Sequence, residues 1–205
     1  MKKGRKIDQV LAGARDVFLS DGFESASVDE IARRSGVSKA TLYSYFSTKT
    51  ELFLTVATKE IGRITDEATL TVDTDLPVRD VLTKVAEIYV WFYSSDYGLN
   101  LFRTCVAEAR HFPEIGREFY SAGLIASHDR LRRFLLLATE RGELDMKEGE
   151  HAHAAFQFVE LCRAGMLNKR LFYVQDKFSE SELAYLVSSA VDMFMARFGA
   201  KPTAA

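Results

Sequence analysis

Gly36 constrains this 205-residue chain more than any other position, because it falls between two helix starts within the run Ser27 to Phe53, SVDEIARRSGVSKATLYSYFSTKTELF. A helix that stops and another that starts within so few residues need a turn of positive φ, which glycine adopts without steric penalty. Ser27 followed by Glu30 has the capping-box spacing, in which hydroxyl and carboxylate each satisfy a backbone N–H left open at a helix N-terminus. A second helix is therefore expected from near Val28, with Val28, Ile31 and Ala32 on one face. Ser38 then caps a short third helix whose inward side is Val37, Leu42 and Phe46. Lys39, Ala40, Thr41, Tyr43, Ser44 and Tyr45 are left around its N-terminal and outer surface, and no acid occurs from Val37 to Thr50. Such a face suits phosphates and base edges better than plain solvent. For Tyr43 and Tyr45 the alternative is packing between the third and fourth helices.

The flanking sequence supplies the partners that this unit needs. Helix one is expected from about Arg5 to Ser20, with Ile7, Val10, Leu11, Ala14, Val17 and Phe18 at the spacing of a buried stripe. Asp21-Gly22 ends it and Phe23 turns back toward the stripe. After Phe46, Ser47 or Thr48 caps a fourth helix that carries Leu52, Phe53, Val56, Ala57, Ile61 and Ile64 and runs to about Val72. The polar, proline-ended segment Thr71 to Pro77 reads as a linker. The expected organisation is all-α: a three-helix N-terminal domain over residues 1–50, a connecting helix over about 48–72, and a larger helical domain over 73–205. The latter holds a helix from Pro77, one from Leu99 to about His111, one from Pro113 to Arg141-Gly142, one from about Lys147 to Phe172, and a last one from the capping box Ser179 to Glu182 to near Gly199. The total is about nine helices and no convincing strand.

Composition narrows the function classes. No run of about 18 apolar residues is present and the basic N-terminus is not followed by an apolar stretch, so a cytoplasmic protein without a membrane span is expected. Residues 1–50 hold nine Lys/Arg against six Asp/Glu, a net +3, and the remainder holds 18 against 23, a net −5, so the basic end is also the end with the turn. Cys105 and Cys162 read as buried free thiols. His151 and His153 are two apart, about 200 degrees around a helix, and form no metal face. No phosphate loop, nucleophile elbow or carboxylate pair is readable, so no cofactor, metal or catalytic residue is assigned.

The second domain has the material for a ligand pocket and for self-association. Candidate lining residues are Tyr89, Phe92, Tyr93, Phe102, Arg103, Phe119, His128, Phe156 and Glu160, aromatic surface with a few polar groups set into it. Core packing of the aromatics and structural ion pairing of the polar groups are the alternatives. On the last helix, Leu183, Leu186, Val187, Ala190, Val191, Phe194, Met195 and Phe198 form an unbroken apolar stripe. With Phe156, Val159 and Met166 on the helix before it, that stripe can pair with a twofold mate, a homodimer through the last two helices.

The run Val28 to Phe53, with Gly36-Val37-Ser38-Lys39, Thr41-Leu42-Tyr43, Tyr45-Phe46 and Lys49, resembles the helix-turn-helix domain of the TetR/AcrR family of bacterial transcriptional regulators. The stretch Arg103 to Tyr120, RTCVAEARHFPEIGREFY, is similar to C-terminal domains of the AefR-like subgroup. The resemblance implies a dimeric repressor whose third helix enters the major groove of a palindromic double-stranded operator. A small molecule, partly apolar or aromatic, would bind the C-terminal domain and release the DNA. It places DNA contacts at Ser27, Lys39, Ala40, Thr41, Tyr43, Ser44, Tyr45 and Lys49, with Lys2, Lys3, Arg5 and Lys6 as an arm over neighbouring phosphates or a solubilising tail. The competing reading, a helical enzyme or carrier for an apolar small molecule, leaves the acid-free face of the third helix without a purpose.

Overall fold

The computed structural model describes residues 2–71 and 74–201, without the side chains of residues 2–5, 61 and 63–71. The arm residues Lys2, Lys3 and Arg5, the apolar positions Ile61 and Ile64, and Val72 and Asp73 of the linker therefore lie outside the described side chains or residues. Among the described residues every named element is helical, and the single β feature is an isolated bridge between Leu144 and Gly199. The chain forms two compact units, residues 1–64 with 100–123 and residues 65–99 with 124–205.

In the first unit, α1 (Lys2–Ser25) turns its stripe Val10, Leu11, Ala14, Val17 and Phe18 inward. Gly22, at φ 77° and ψ 171°, breaks the helix where Asp21-Gly22 predicts a stop, and it turns Phe23 into the core. Phe23 lies against Phe18, Phe53 and Phe112, with ring centres 6.0, 5.1 and 5.2 Å away. α2 (Val28–Ser35) buries Ile31 and Ala32 and ends at Gly36, whose φ of 63° is the left-handed turn required there. The capping box at Ser27 does not form. Ser27 has the extended backbone of an N-cap, but its side chain makes no capping hydrogen bond. The Glu30 carboxylate instead accepts from Arg33 at 2.6 and 2.7 Å and from Arg34 at 2.8 Å, and charged partners one turn along outcompete a neutral amide.

α3 (Lys39–Tyr43) starts from Ser38 as expected: the Ser38 hydroxyl accepts from the Thr41 amide at 3.1 Å, and Leu42 and Phe46 are buried. α4 (Lys49–Thr71) is capped by Thr48, which accepts from the Glu51 amide at 3.0 Å, while the Glu51 carboxylate reaches back to the Ser47 amide at 2.8 Å. Ser47 and Thr48 thus share the role that the sequence offered to either.

In the second unit, α5 (Val78–Ser94) runs from Pro77 as expected. α6 (Asp96–Glu108), whose first four residues belong to this unit and the rest to the first, departs from expectation, because it begins at Asp96 and contains Gly98. Gly98 is needed for closeness here: a Cβ on it would stand 2.1 Å from the Phe92 carbonyl oxygen. The Gly98 amide donates to the Ser95 hydroxyl at 3.0 Å, so one residue separates the two helices.

The segment expected as one helix from Pro113 is α7 (Pro113–Glu118), a π-helical stretch (Phe119–Ile125) and α8 (Ala126–Glu140). The segment expected from Lys147 to Phe172 divides into α9 (Glu150–Cys162) and α10 (Met166–Leu171), parted at Gly165 with φ 73°. α11 (Glu180–Phe198) carries the complete Ser179–Glu182 capping box. All nine expected segments are thus helical, two of them subdivided.

The stripe of α11 is largely covered within its own unit. Val187, Ala190, Val191, Phe194 and Phe198 are buried within the unit, where Phe194 meets Phe158 at 5.1 Å and Phe198 at 4.9 Å. A terminal helix packed on two neighbours consumes a broad stripe by itself, so most of it is core. The large apolar side chains that α11 leaves exposed are Tyr185 and Met193.

Candidate nucleic-acid interface

The turn at Gly36 is closed by bonds from the Gly36 amide to the Arg33 carbonyl at 3.2 Å and from the Val37 amide to the Ala32 carbonyl at 3.1 Å. These absorb the carbonyls that α2 leaves open and fix the point where α3 departs. The outward side of α3 is formed as the sequence predicts: Lys39, Ala40, Tyr43 and Ser44 are exposed, and Thr41 and Tyr45 are half-buried. Tyr43 is the most prominent aromatic among them, with 46% of its surface open. Ser27 is exposed at the start of α2 and Lys49 half-buried at the start of α4.

Several of these polar groups are already engaged. The Thr41 and Ser38 hydroxyls are 2.8 Å apart, and the Ser44 hydroxyl donates to the Thr41 carbonyl at 2.6 Å. Lys39 pairs with Asp29 at 2.9 Å, and that hydrogen bond raises its pKa above the usual lysine value. Asp29 is ten residues from Lys39 and across the turn, so helical spacing could not reveal the pair. Lys49 donates to the Glu24 carbonyl at 2.9 Å and the Ala26 carbonyl at 3.4 Å, and its ammonium lies 4.7 Å from the Phe23 ring centre. Lys39 and its partner Asp29 are both exposed, which leaves that pair open to exchange for another anion.

The expected pocket residues divide between the two units. Phe102, Arg103 and Phe119 belong to the first, where the Phe102 and Phe119 ring centres are 6.1 Å apart. Tyr89, Phe92, Tyr93, His128, Phe156 and Glu160 belong to the second, and the structure draws most of these together. The His128 ring stacks on Phe156 at 4.1 Å, Phe92 meets Tyr93 at 5.1 Å, and Tyr93 accepts from Arg163 at 3.4 Å. Arg163 also pairs with Glu160, the local ion pair that their spacing allowed. Burial pushes the Tyr89 phenol up to about 12 against the opposing hydrogen bond from Ser127. Burial likewise lowers the His128 pKa, so a neutral imidazole uses Nδ1–H to donate to the Leu124 carbonyl. Ser127 is a member of this cluster that the sequence does not single out. A single serine on a helix gives no sequence signal of such a role.

A cleft of about 470 Å³ lies in the first unit, lined by Leu54, Thr55, Thr58, Lys59, Glu114 and Glu118. It contains none of the expected pocket residues. Cys105 and Cys162 are buried free thiols, with burial pushing Cys105 up to about 12 and Cys162 upward as well. Among the described residues no group of three or more His, Cys, Asp or Glu could hold a metal, and no helix is long and apolar enough to cross a membrane.

Comparison with known proteins extends this geometry. The profile described as the AefR-like transcriptional repressor C-terminal domain matches residues 80–200, and that of the bacterial regulatory proteins of the tetR family matches residues 10–56. The HTH-type transcriptional activator FasR of Mycolicibacterium smegmatis is 35% identical over 96 residues, which is 47% of this chain and 44% of FasR. The chain thus spans under half the length of that relative. The crystal structure of a putative TetR-family regulator from Mesorhizobium loti superposes with a TM-score of 0.88 at 24% identity, over 97% of this chain and 99% of the other. That of the flavonoid-responsive regulator FrrA superposes with a TM-score of 0.74 at 28% identity, over 98% and 100% of the two chains.

Proposed function

We infer what this protein does from one premise: the chain belongs to the TetR family of bacterial regulatory proteins and carries an AefR-like C-terminal domain. It is a ligand-responsive DNA-binding transcriptional regulator, a repressor that leaves a palindromic double-stranded operator when a small molecule binds its C-terminal domain. The observation that carries this reading is the outward side of α3, where Lys39, Ala40, Tyr43 and Ser44 stand exposed without an acid of their own while Leu42 and Phe46 anchor the helix from within. Residues 1–50 read the DNA, residues of about 48–72 connect, and residues 73–205 bind ligand and dimerise.

Ser27, Lys39, Ala40, Thr41, Tyr43, Ser44, Tyr45 and Lys49 form the DNA face. Lysine and helix N-termini suit phosphates, phenol and hydroxyl groups donate to phosphate oxygens, and Thr41 offers a methyl to thymine or a hydroxyl to a base edge. Two copies related by a twofold axis place two α3 helices one turn of DNA apart. The exposed Tyr185 and Met193 of α11 support association through the last two helices. The effector is partly apolar or aromatic, in keeping with the His128–Phe156 stack and the buried phenols Tyr89 and Tyr93. FrrA, named as flavonoid-responsive, offers a first ligand class to try. The protein works without catalysis: it is a switch between two conformations, and the ligand prefers the one that does not fit the operator.

The test is a gel shift of the purified protein on duplex DNA from upstream of its own gene, with heparin or random duplex as competitor. A complex that survives competitor and dissolves with a flavonoid or another aromatic effector is expected. Reciprocity sharpens the result, because operator DNA must weaken effector binding by the same factor as effector weakens DNA binding. No competitor-resistant complex on that DNA, together with turnover or carriage of an apolar compound, would return the protein to the enzyme-or-carrier class.

A further inference from the structure

Glu160 and Arg163 stand three residues apart at the end of α9, and their two charges are not equally placed. The guanidinium of Arg163 lies 5.4 Å from the centre of the Tyr93 ring and donates to the Tyr93 hydroxyl at 3.4 Å, and Tyr93 has only 1% of its surface open. Its Nε and Nη2 donate to the two oxygens of the Glu160 carboxylate, Nε at 2.9 Å. The Arg163 side chain is 22% exposed and that of Glu160 is 61% exposed. The arginine thus has an inner aromatic partner and an outer carboxylate that water reaches. His128 is a neighbour of the pair: burial lowers its pKa, the Leu124 carbonyl raises it, and behind these the charges of Arg163 and Glu160 act in opposite directions. The His128 ring is stacked on the half-buried Phe156, so an aromatic face and a cation adjoin within the second unit.

We propose that the effector is an aromatic carboxylate: its carboxylate takes Arg163 from Glu160, and its ring lies on the aromatic cluster around Phe156. The proposal rests on the reading that the C-terminal domain binds a small molecule, and it adds the charge of that molecule. Glu160 is then a stand-in for the ligand's own carboxylate, because an arginine fork receives any carboxylate in the same two-bond geometry. An exposed ion pair costs little to break, and the Glu160 carboxylate regains water when it leaves. Tyr93 keeps the guanidinium in place while the anions exchange. A neutral aromatic molecule cannot make this exchange. It leaves Arg163 with Glu160 and gains only ring contacts, so the charge of the ligand, beyond its aromatic body, decides affinity.

The experiment titrates the full chain, without DNA, with cinnamate and with methyl cinnamate at about pH 7, where a carboxylic acid is ionised, and reads binding by calorimetry. The wild-type protein is expected to bind cinnamate about tenfold or more tightly than the ester, the worth of a charged hydrogen-bonded partner. Glu160→Gln removes the competing charge and is expected to tighten cinnamate binding about threefold while leaving the ester unchanged. Arg163→Met is expected to bring the two affinities together. Where thermal unfolding shows Arg163→Met to be misfolded, the response of Glu160→Gln decides alone. Equal affinities for acid and ester, binding of neither, or a Glu160→Gln protein that binds cinnamate no better than wild type each overturns the proposal. A gel shift with both probes separates this outcome from the fate of the regulator reading. A DNA complex that survives saturating cinnamate while the titrations run as expected keeps the carboxylate site and removes the switch. A complex dissolved as readily by the ester as by the acid keeps the switch and overturns the carboxylate site.

Discussion

Gly13 of α1 and Ser35 of α2 approach so closely that a Cβ on the glycine would stand 2.3 Å from the Ser35 hydroxyl oxygen and 2.9 Å from its amide nitrogen. Ser35 is itself buried, and its hydroxyl faces the Val10 carbonyl at 3.5 Å. Gly13→Ala opposes two effects. Alanine gains about 1 kcal/mol of helix propensity over glycine, whereas overpacking against backbone costs about 1–3 kcal/mol. The clash includes a backbone atom that no rotamer change can move, so net destabilisation is expected. Thermal unfolding reads it, and a Gly13→Ala protein as stable as wild type would show that α1 and α2 sit farther apart.

Tyr43 separates recognition from folding. Its ring is 46% exposed on α3, so truncation changes stability by no more than about 0.5 kcal/mol. A phenol that donates to a phosphate or base is expected to weaken operator binding by tenfold or more when removed, about 1.4 kcal/mol. Tyr43→Ala with wild-type melting and wild-type affinity would remove Tyr43 from the DNA face.

Glu30 restrains the cations of α2. Hydrogen bonds from Arg33, and then from Arg34, hold its carboxyl down at about 2 instead of 4.5. The folded-state value lies below the unfolded one, so the contribution of Glu30 is present above pH 4.5 and disappears as pH falls toward 2. A carboxyl resonance titrating near 2 in the folded protein checks the pair. Glu30→Gln releases both guanidinium groups toward solvent, so affinity for random duplex should rise with a steeper salt dependence. Unchanged nonspecific binding would mean that Arg33 and Arg34 never approach DNA.

Much of the fold was legible because helix periodicity and local caps act over a few residues. The turn at Gly36, the Ser38 cap and the Ser179–Glu182 box follow from side chains that meet neighbours three or four positions away. Ser27 misled for the same reason. Glu30 had two further neighbours at that distance, Arg33 and Arg34, and charge decided the competition. The expected start at Leu99 falls three residues late, because Gly98 inside α6 serves closeness to Phe92, a tertiary fact that no local pattern carries. The outward residues of α3 were readable from periodicity; the engagement of Lys49 with Glu24 and Ala26 and of Lys39 with Asp29 was not, because both cross a turn. The α11 stripe shows the complementary limit. Periodicity tells that a face is apolar and leaves open whether its own domain or a partner covers it.

His128 gives the second unit a pH response. Burial lowers its pKa below 6.5, and the neutral ring donates to Leu124 while stacking on Phe156. The unfolded chain binds a proton more readily than the folded one, so this contribution is complete above pH 6.5 and is lost as pH falls below it. His128→Gln should flatten the fall in unfolding temperature between about pH 6.5 and 5.5, the window in which an unperturbed histidine titrates. Parallel curves for the two proteins would show that His128 is protonated as easily folded as unfolded.

Arg170 is the most demanding buried charge of the second unit, with 3% of its surface exposed. Its guanidinium donates to the Ser94 carbonyl at the end of α5 and to the Asp96 carboxylate at 2.5 Å. These partners are unequal, because the Asp96 side chain is 86% exposed and water can replace the arginine there, whereas the carbonyl terminates a helix packed against α10. Arg170→Met should therefore destabilise by about 1–3 kcal/mol, the penalty of an unsatisfied buried acceptor. Asp96→Asn keeps an acceptor beside the guanidinium and should stay within about 1 kcal/mol of wild type. Chemical denaturation of both variants measures the contrast. A larger loss from Asp96→Asn than from Arg170→Met would mean that the ion pair, and not the cap on Ser94, holds the junction between α5 and α6 together.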